Sequence, residues 1–382
     1  MTSPDEDAAD SARGDQELRV STLELFFDLV FVFTLTQLSA LLQAELSLLG
    51  AIRVLVVFVI MFWMYGGYVW LTNQVPPRIA ARRLLLVLGM GGFFVCAIAI
   101  PRAFEGNGIV FGLGYLWAVL VHAALYAEAY GRAVVRFVPA NVLGAVCVVA
   151  AGATSGPLSD ALWLAPIVLQ VVAAMLTRRI DAQQRAGFDL RPGHFVERHG
   201  LLLIVAFGES VVSIGLGIAH EQLDIGSIGA AVLGLALAAA LWWTYFAEDE
   251  RLGETVLASA TLETRVQTAL NAYFYAYIPI LLGIVALAAG VRLTIGDLGA
   301  RLDPGPALLL AGGVGLYLAG DVCFRLALRY RPVAVRAVGA LTALASVVLG
   351  TAVSGFAQLV GLVVTLVAML AIEQMLGRQP PG

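Results

Sequence analysis

The chain has 382 residues, 60% of them hydrophobic and 13% charged, with a formal net charge of −4 at neutral pH. A soluble domain carries about 25% charged residues, so most of this surface is read as facing lipid rather than water. All 23 basic residues are arginine, which excludes Schiff-base, Walker-type and Ser–Lys chemistry, and no long basic run offers itself to nucleic acid.

Taken from the N-terminus, residues 1–17 are small and acidic (Asp5, Glu6, Asp7, Asp10, Asp15, Glu17) and are expected to form a disordered, solvated tail. Apolar runs then follow at roughly 23–43, 49–71, 83–101, 109–130, 137–155, 160–178, 200–219, 226–247, 266–290, 306–328, 333–352 and 355–376. Each is close to the length of about 20 residues that spans a bilayer as a helix. The predicted fold is therefore an all-α integral membrane protein with about twelve transmembrane helices. The breaks between runs hold proline, glycine or charge, as at Pro76-Pro77, Pro101-Arg102, Gly156-Pro157 and Asp303-Pro304. Every second loop and its flanking helix ends gather the arginines, among them Arg78, Arg82, Arg83, Arg132, Arg136, Arg191, Arg198, Arg329 and Arg336. The opposite side holds only Arg53, Arg102, Arg292 and Arg301. By the positive-inside rule both termini face the cytoplasm of a plasma-membrane protein.

Three pieces recur in order. Phe26-Phe27-Asp28-Leu29-Val30 matches Phe207-Gly208-Glu209-Ser210-Val211, Trp63-Met64-Tyr65 matches Trp243-Thr244-Tyr245, and the turn from Tyr130 to Arg136 matches that from Tyr330 to Arg336. A competing register pairs Glu24 with Glu197. The predicted organisation is a first six-helix repeat at 18–178, a cytoplasmic linker at 179–199 and a second repeat at 200–377. Six is even, so both halves enter from the same side and the repeat is parallel.

Ionisable groups inside hydrocarbon cost about 2.5–3.5 kcal/mol near the centre and are functional candidates by default. Glu24 and Asp28 stand four apart on one face of the first helix, where two carboxylates repel unless one is protonated, an arginine lies between them or a cation visits. The functional reading is an ion or proton site; the plain one is an ion-pair anchor. Glu209 sits at comparable depth in the second half, flanked by Ser210 and Ser213, with Gly208, Gly215 and Gly217 reading as a close helix approach. Asp321 and Arg325, also four apart, read as a self-neutralising pair whose arginine reaches toward the interface. His122 reads as a structural histidine or a proton relay, with Glu128 as a stretched partner. The aromatics Trp63, Tyr65, Tyr68 and Trp70, and later Tyr273, Tyr275 and Tyr277, read as interfacial belts or as the lining of a polar path. Asn271 and Pro279 mark a local break in the ninth span.

Enzymatic signatures (HExxH, GxSxG, GxGxxG after a strand, CxxC) do not occur, and Cys96, Cys147 and Cys323 lie scattered in apolar runs. No enzyme activity, cofactor or metal is expected.

Two stretches carry a family resemblance, Arg19 to Ser39 (RVSTLELFFDLVFVFTLTQLS) and Glu197 to Gly215 (ERHGLLLIVAFGESVVSIG). Through them the chain resembles the bacterial low temperature requirement A family over nearly its whole length. The segment Glu24 to Phe31 is also similar to the first helix of the endolysosomal potassium channel family, with Phe26 and Asp28 at the Phe and Asp of its Phe-Ser-Asp signature and Phe27 in place of its serine. That likeness implies permeation. The expected function is a transporter or channel for a cation or small solute, with the bilayer and a cation or proton as partners and Glu24, Asp28 and Glu209 as the ion or proton site. The alternative is a non-transport membrane scaffold or a lipid-acting membrane enzyme.

Overall fold

Ser21 opens the first helix, α1 (Thr22–Ala44), with a capping box: its Oγ accepts from Glu24 N, and the Glu24 carboxylate accepts from Ser21 N at 3.0 Å. The box bends Glu24 back over the helix start and so fixes where its carboxylate lies. The structure is a computed structural model and describes residues 20–130, 138–180, 190–218, 225–295 and 298–377. The acidic tail at 1–17 and most of the turn 130–136 lie outside the described residues. After α1 come α2 (Leu48–Gln74), α3 (Ala80–Ala99), a 3-10 turn (Ile100–Arg102), α4 (Gly108–Tyr130), α5 (Val138–Ala153) and α6 (Pro157–Ile180). The chain continues through α7 (Pro192–Ile218), α8 (Ile225–Phe246), α9 (Asp249–Ser259), α10 (Leu262–Ala269), a π-helical turn (Leu270–Tyr275), α11 (Tyr277–Thr294), α12 (Pro304–Ala327), α13 (Ala334–Ala345), α14 (Val347–Ala352) and α15 (Gly355–Gly377). Among the described residues no strand occurs.

Among the described residues, nine of the twelve expected runs form helical segments long and apolar enough to cross a bilayer. Of the other three runs, the one at 137–155 forms the shorter helix α5, and those at 160–178 and 200–219 lie on α6 and α7, whose last side chains fall outside the described residues. One boundary differs from expectation. Helix α7 begins at Pro192, so the last residues assigned to a linker at 179–199 are two helical turns packed against the rest of the protein. The break expected around Asn271 and Pro279 takes the form of the π-helical turn at Leu270–Tyr275, a single-turn irregularity of the kind that occurs inside α-helices.

Helix adjacency builds two groups. In the first, α3 packs on α4, α4 on α5 and α5 on α6, with α1 against α2 and α3. In the second, α11 packs on α12, α12 on α13, and both α13 and α14 on α15, with α7 against α8 and α11. The groups meet where α1 packs on α7 and α11. Several crossings are tight enough to require glycine, among them α3 on α4 and α11 on α12. A Cβ on Gly92 of α3 would fall 2.9 Å from Ala118 N and from Gly114 O of α4. A Cβ on Gly283 of α11 would fall 2.6 Å from Tyr317 N and 2.7 Å from Gly313 O of α12.

By contrast, Gly208 and Gly215 of α7 face open space. This corrects their reading as a close helix approach; the surroundings of Gly217 lie outside the described residues. Gly283→Ala must push two backbones apart and is expected to lower stability by about 1–3 kcal/mol. Gly208→Ala should be neutral or stabilising by up to about 1 kcal/mol, since a helix interior favours alanine. Unfolding midpoints of the two variants in detergent check the contrast.

Candidate functional site

The capping box and the α-helical period together put Glu24 and Asp28 on the face of α1 that meets α7, and both are buried. Arg198, from the start of α7, enters between them and is fully enclosed. Its Nη1 donates to Glu24 Oε1 at 3.1 Å and also to Thr72 Oγ1 of α2, while Nη2 and Nε donate to Asp28 Oδ1 at 3.1 and 3.3 Å. The Tyr65 hydroxyl donates to the same Asp28 oxygen at 2.8 Å. An arginine between the two acids is one of the three arrangements that their spacing allowed.

The hydrogen-bond network also fixes the histidine in this cluster. Asn73 accepts from Arg191 N at 3.0 Å and donates to Arg191 O at 3.1 Å, which sets the orientation of its amide. The amide nitrogen therefore donates to His194 Nδ1 at 3.2 Å, and Nε2 of that ring carries the proton and donates to Glu24 Oε2 at 3.3 Å. With a neutral imidazole, two carboxylates face one guanidinium and the cluster holds one surplus negative charge. Glu24 has both oxygens satisfied, Oε2 also accepting from Ser21 Oγ at 2.7 Å. Asp28 Oδ2 is buried and has no partner. An unpartnered carboxylate oxygen in a net-negative, enclosed cluster suits a proton or a small cation.

The neighbourhood is aromatic and closed. Phe27 packs on Tyr65, Tyr68 and Phe93, and the Arg198 guanidinium lies 5.8 Å from its ring centre. Tyr65 and Tyr68 are therefore core residues rather than interfacial anchors, as are Tyr273 and Tyr277; Tyr275 is exposed. A separate cleft of about 630 Å³ between α1, α2 and α11 to α13 is lined by apolar residues such as Leu42, Leu55, Leu282 and Leu316, and offers no cation ligands.

Glu209 does not join the site. Phe26 is exposed where its match Phe207 is buried, and Phe27 is buried where its match Gly208 is exposed. The short sequence match thus sets α1 and α7 a face apart, and Glu209 is a half-buried residue that accepts from Ser213 Oγ at 3.3 Å. Ser210 donates to Ala206 O at 3.3 Å within its own helix. His122 packs on the Tyr68 ring, with centres 5.1 Å apart. Its expected partner Glu128 is taken by Arg82 in a two-pronged contact at 2.6 and 3.1 Å.

Asp321 and Arg325 do not form their expected pair, because both are drawn into a second buried cluster. Arg325 Nε donates to Asp249 Oδ1 at 3.0 Å and Oδ2 at 3.1 Å, and its Nη1 donates to Glu373 Oε1 at 3.2 Å. Arg336 Nη1 donates to both Asp249 Oδ2, at 2.5 Å, and Asp321 Oδ2. Its Nε and Nη2 reach Glu373 at 2.9 and 3.2 Å, and Nη2 also reaches the Thr244 carbonyl at 2.9 Å. Spacing gave no hint of these partners. Arg198 and Arg336 read as loop-flanking, topology-setting arginines and Asp249 as a loop residue. Glu373 alone carried a usable signal, a glutamate inside the last apolar run.

Comparison with known proteins places these residues in context. The profile described as "Bacterial low temperature requirement A protein (LtrA)" matches residues 19–371. The chain is 28% identical over 319 residues to an uncharacterized protein, RA0937, of Rhizobium meliloti (strain 1021), a match covering 80% of this chain and 77% of that relative. No solved structure matches.

Proposed function

The chain belongs to the bacterial low temperature requirement A family, and from that premise we propose that it is a permeation protein, a proton- or cation-linked transporter whose two halves move about the α1–α7 seam. The carrying observation is Arg198: one guanidinium from the second half neutralises one of two buried carboxylates of the first, and leaves Asp28 Oδ2 unpartnered. A buried ion pair is weak evidence of stabilisation for its own sake, because desolvation offsets most of the attraction. It suits a switch. A proton or cation at Asp28 cancels the surplus charge, loosens that carboxylate from Arg198 and frees α1 to move against α7, while Glu24 keeps the arginine anchored.

The proposal includes twelve spans in two parallel six-helix halves with both termini cytoplasmic, in the plasma membrane. Equivalent adjacency in the two groups of helices supports the repeat. So does the glycine crossing: Gly92 against Gly114 and Ala118 recurs as Gly283 against Gly313 and Tyr317, displaced by 191 residues on the third helix and 199 on the fourth. Parallel halves meeting at a buried charged seam are what alternating access uses. Enclosure of Asp28 by packed aromatic rings favours a closed site that opens in turns over a continuous pore.

Reconstituted protein is expected to carry protons or a monovalent cation. Asp28→Asn should reduce that flux by about tenfold or more, the factor that about 1.4 kcal/mol of lost ion binding gives, and Glu209→Gln should leave it near the unsubstituted rate. No flux of protons or any alkali cation, or flux indifferent to Asp28→Asn, removes the proposal.

A further inference from the structure

The second cluster has a charge imbalance of its own. Three carboxylates, Asp249 of α9, Asp321 of α12 and Glu373 of α15, face two guanidiniums, Arg325 of α12 and Arg336 of α13. Counting donors locates the shortfall. Both oxygens of Asp249 are bound by arginine, and so are both oxygens of Glu373. Every arm of Arg336 is already committed, to Glu373, to the Thr244 carbonyl of α8, or to the Asp249–Asp321 pair. Asp321, 1% exposed, receives only the Nη1 nitrogen that it shares with Asp249. Its second oxygen, Oδ1, is buried without a partner, and the shared Arg336 Nη1 holds an oxygen of Asp249 beside its carboxyl. A further titratable neighbour is Tyr317, one turn earlier on α12, whose hydroxyl donates to the Leu241 carbonyl at 3.0 Å.

We propose that Asp321 is a second proton-binding site, holding one proton that it shares with Asp249 and that neutralises the cluster formed with Arg325, Arg336 and Glu373. Two carboxylates on one guanidinium nitrogen repel unless a proton sits between them, as in paired catalytic carboxylates. Protonation turns the orphaned oxygen into a donor and brings the charge count to zero. The site belongs wholly to the second half and to different helices from Asp28, so it stands whether or not the chain transports anything.

Infrared spectroscopy of the full-length protein in nanodiscs at neutral pH tests this through the C=O stretch of a protonated carboxyl, identified by its shift in heavy water. The band is expected to lose one carboxyl's share in Asp321→Asn. It should lose the same share in Asp249→Asn, where two carboxylates then balance two guanidiniums and Asp321 ionises. Asp28→Asn should leave this component in place. Unfolding midpoints establish that each variant is folded, and Asp321→Asn, which resembles the protonated acid in shape and charge, should melt close to the unsubstituted protein. A band unchanged in both Asp321→Asn and Asp249→Asn, or lost only in Asp28→Asn, overturns the proposal.

Discussion

Arg198→Met is expected to be among the most damaging single substitutions in the first half, costing about 3–5 kcal/mol, the usual penalty for leaving buried charge without its partner. Methionine fills much of the arginine's volume, so the loss comes from electrostatics: Glu24 and Asp28 would repel across one helical turn with no cation between them, and the donor to Thr72 would vanish. The unfolding midpoint in detergent and the fraction of monodisperse protein measure the effect. Adding Glu24→Gln and Asp28→Asn to Arg198→Met should restore most of the lost stability, because it removes the unpaired charges together with their partner. A triple variant no more stable than Arg198→Met would mean that the arginine acts through shape, not charge.

Arg336→Met should cost at least as much, again about 3–5 kcal/mol, because Arg336 reaches three carboxylates and a carbonyl on four other helices. Its removal would leave Arg325 alone against Asp249, Asp321 and Glu373. Arg336→Lys should recover only part of the loss. An ammonium restores the charge, but a single point charge cannot reproduce the planar fork that bridges α8, α9, α12 and α15 at once. Rescue also separates the two clusters: Asp321→Asn added to Arg336→Met should relieve only part of the damage, since Asp249 and Glu373 still face a single arginine. Midpoints of the single and double variants, read as a cycle, give the coupling directly.

The helical runs were readable because a bilayer imposes a length and an apolar composition on each span independently of its neighbours. Glu24 and Asp28 stood out for a similarly local reason: two acids one turn apart in an apolar helix need an explanation wherever the helix lies. The pairing of Asp28 with Glu209 failed because a five-residue match fixes neither helical face nor rotation, and burial at Phe26, Phe27, Phe207 and Gly208 sets the two helices differently. The self-neutralising pair assigned to Asp321 and Arg325 failed because each found a better partner on another helix.

Sequence by itself determined that this is a helical membrane protein with acids buried near the start of its first span, since the cost of a charge in hydrocarbon belongs to the residue that carries it. Only the tertiary structure decided how those acids are neutralised. Arg198 lies 170 positions from Asp28 in the chain, and Arg336 meets Asp249 and Glu373 from three separate helices. In sequence such arginines are indistinguishable from those that merely hold a loop at the membrane surface. Neutralisation is a property of the space between helices, and which side chains share that space is set by packing rather than by the order of residues along the chain.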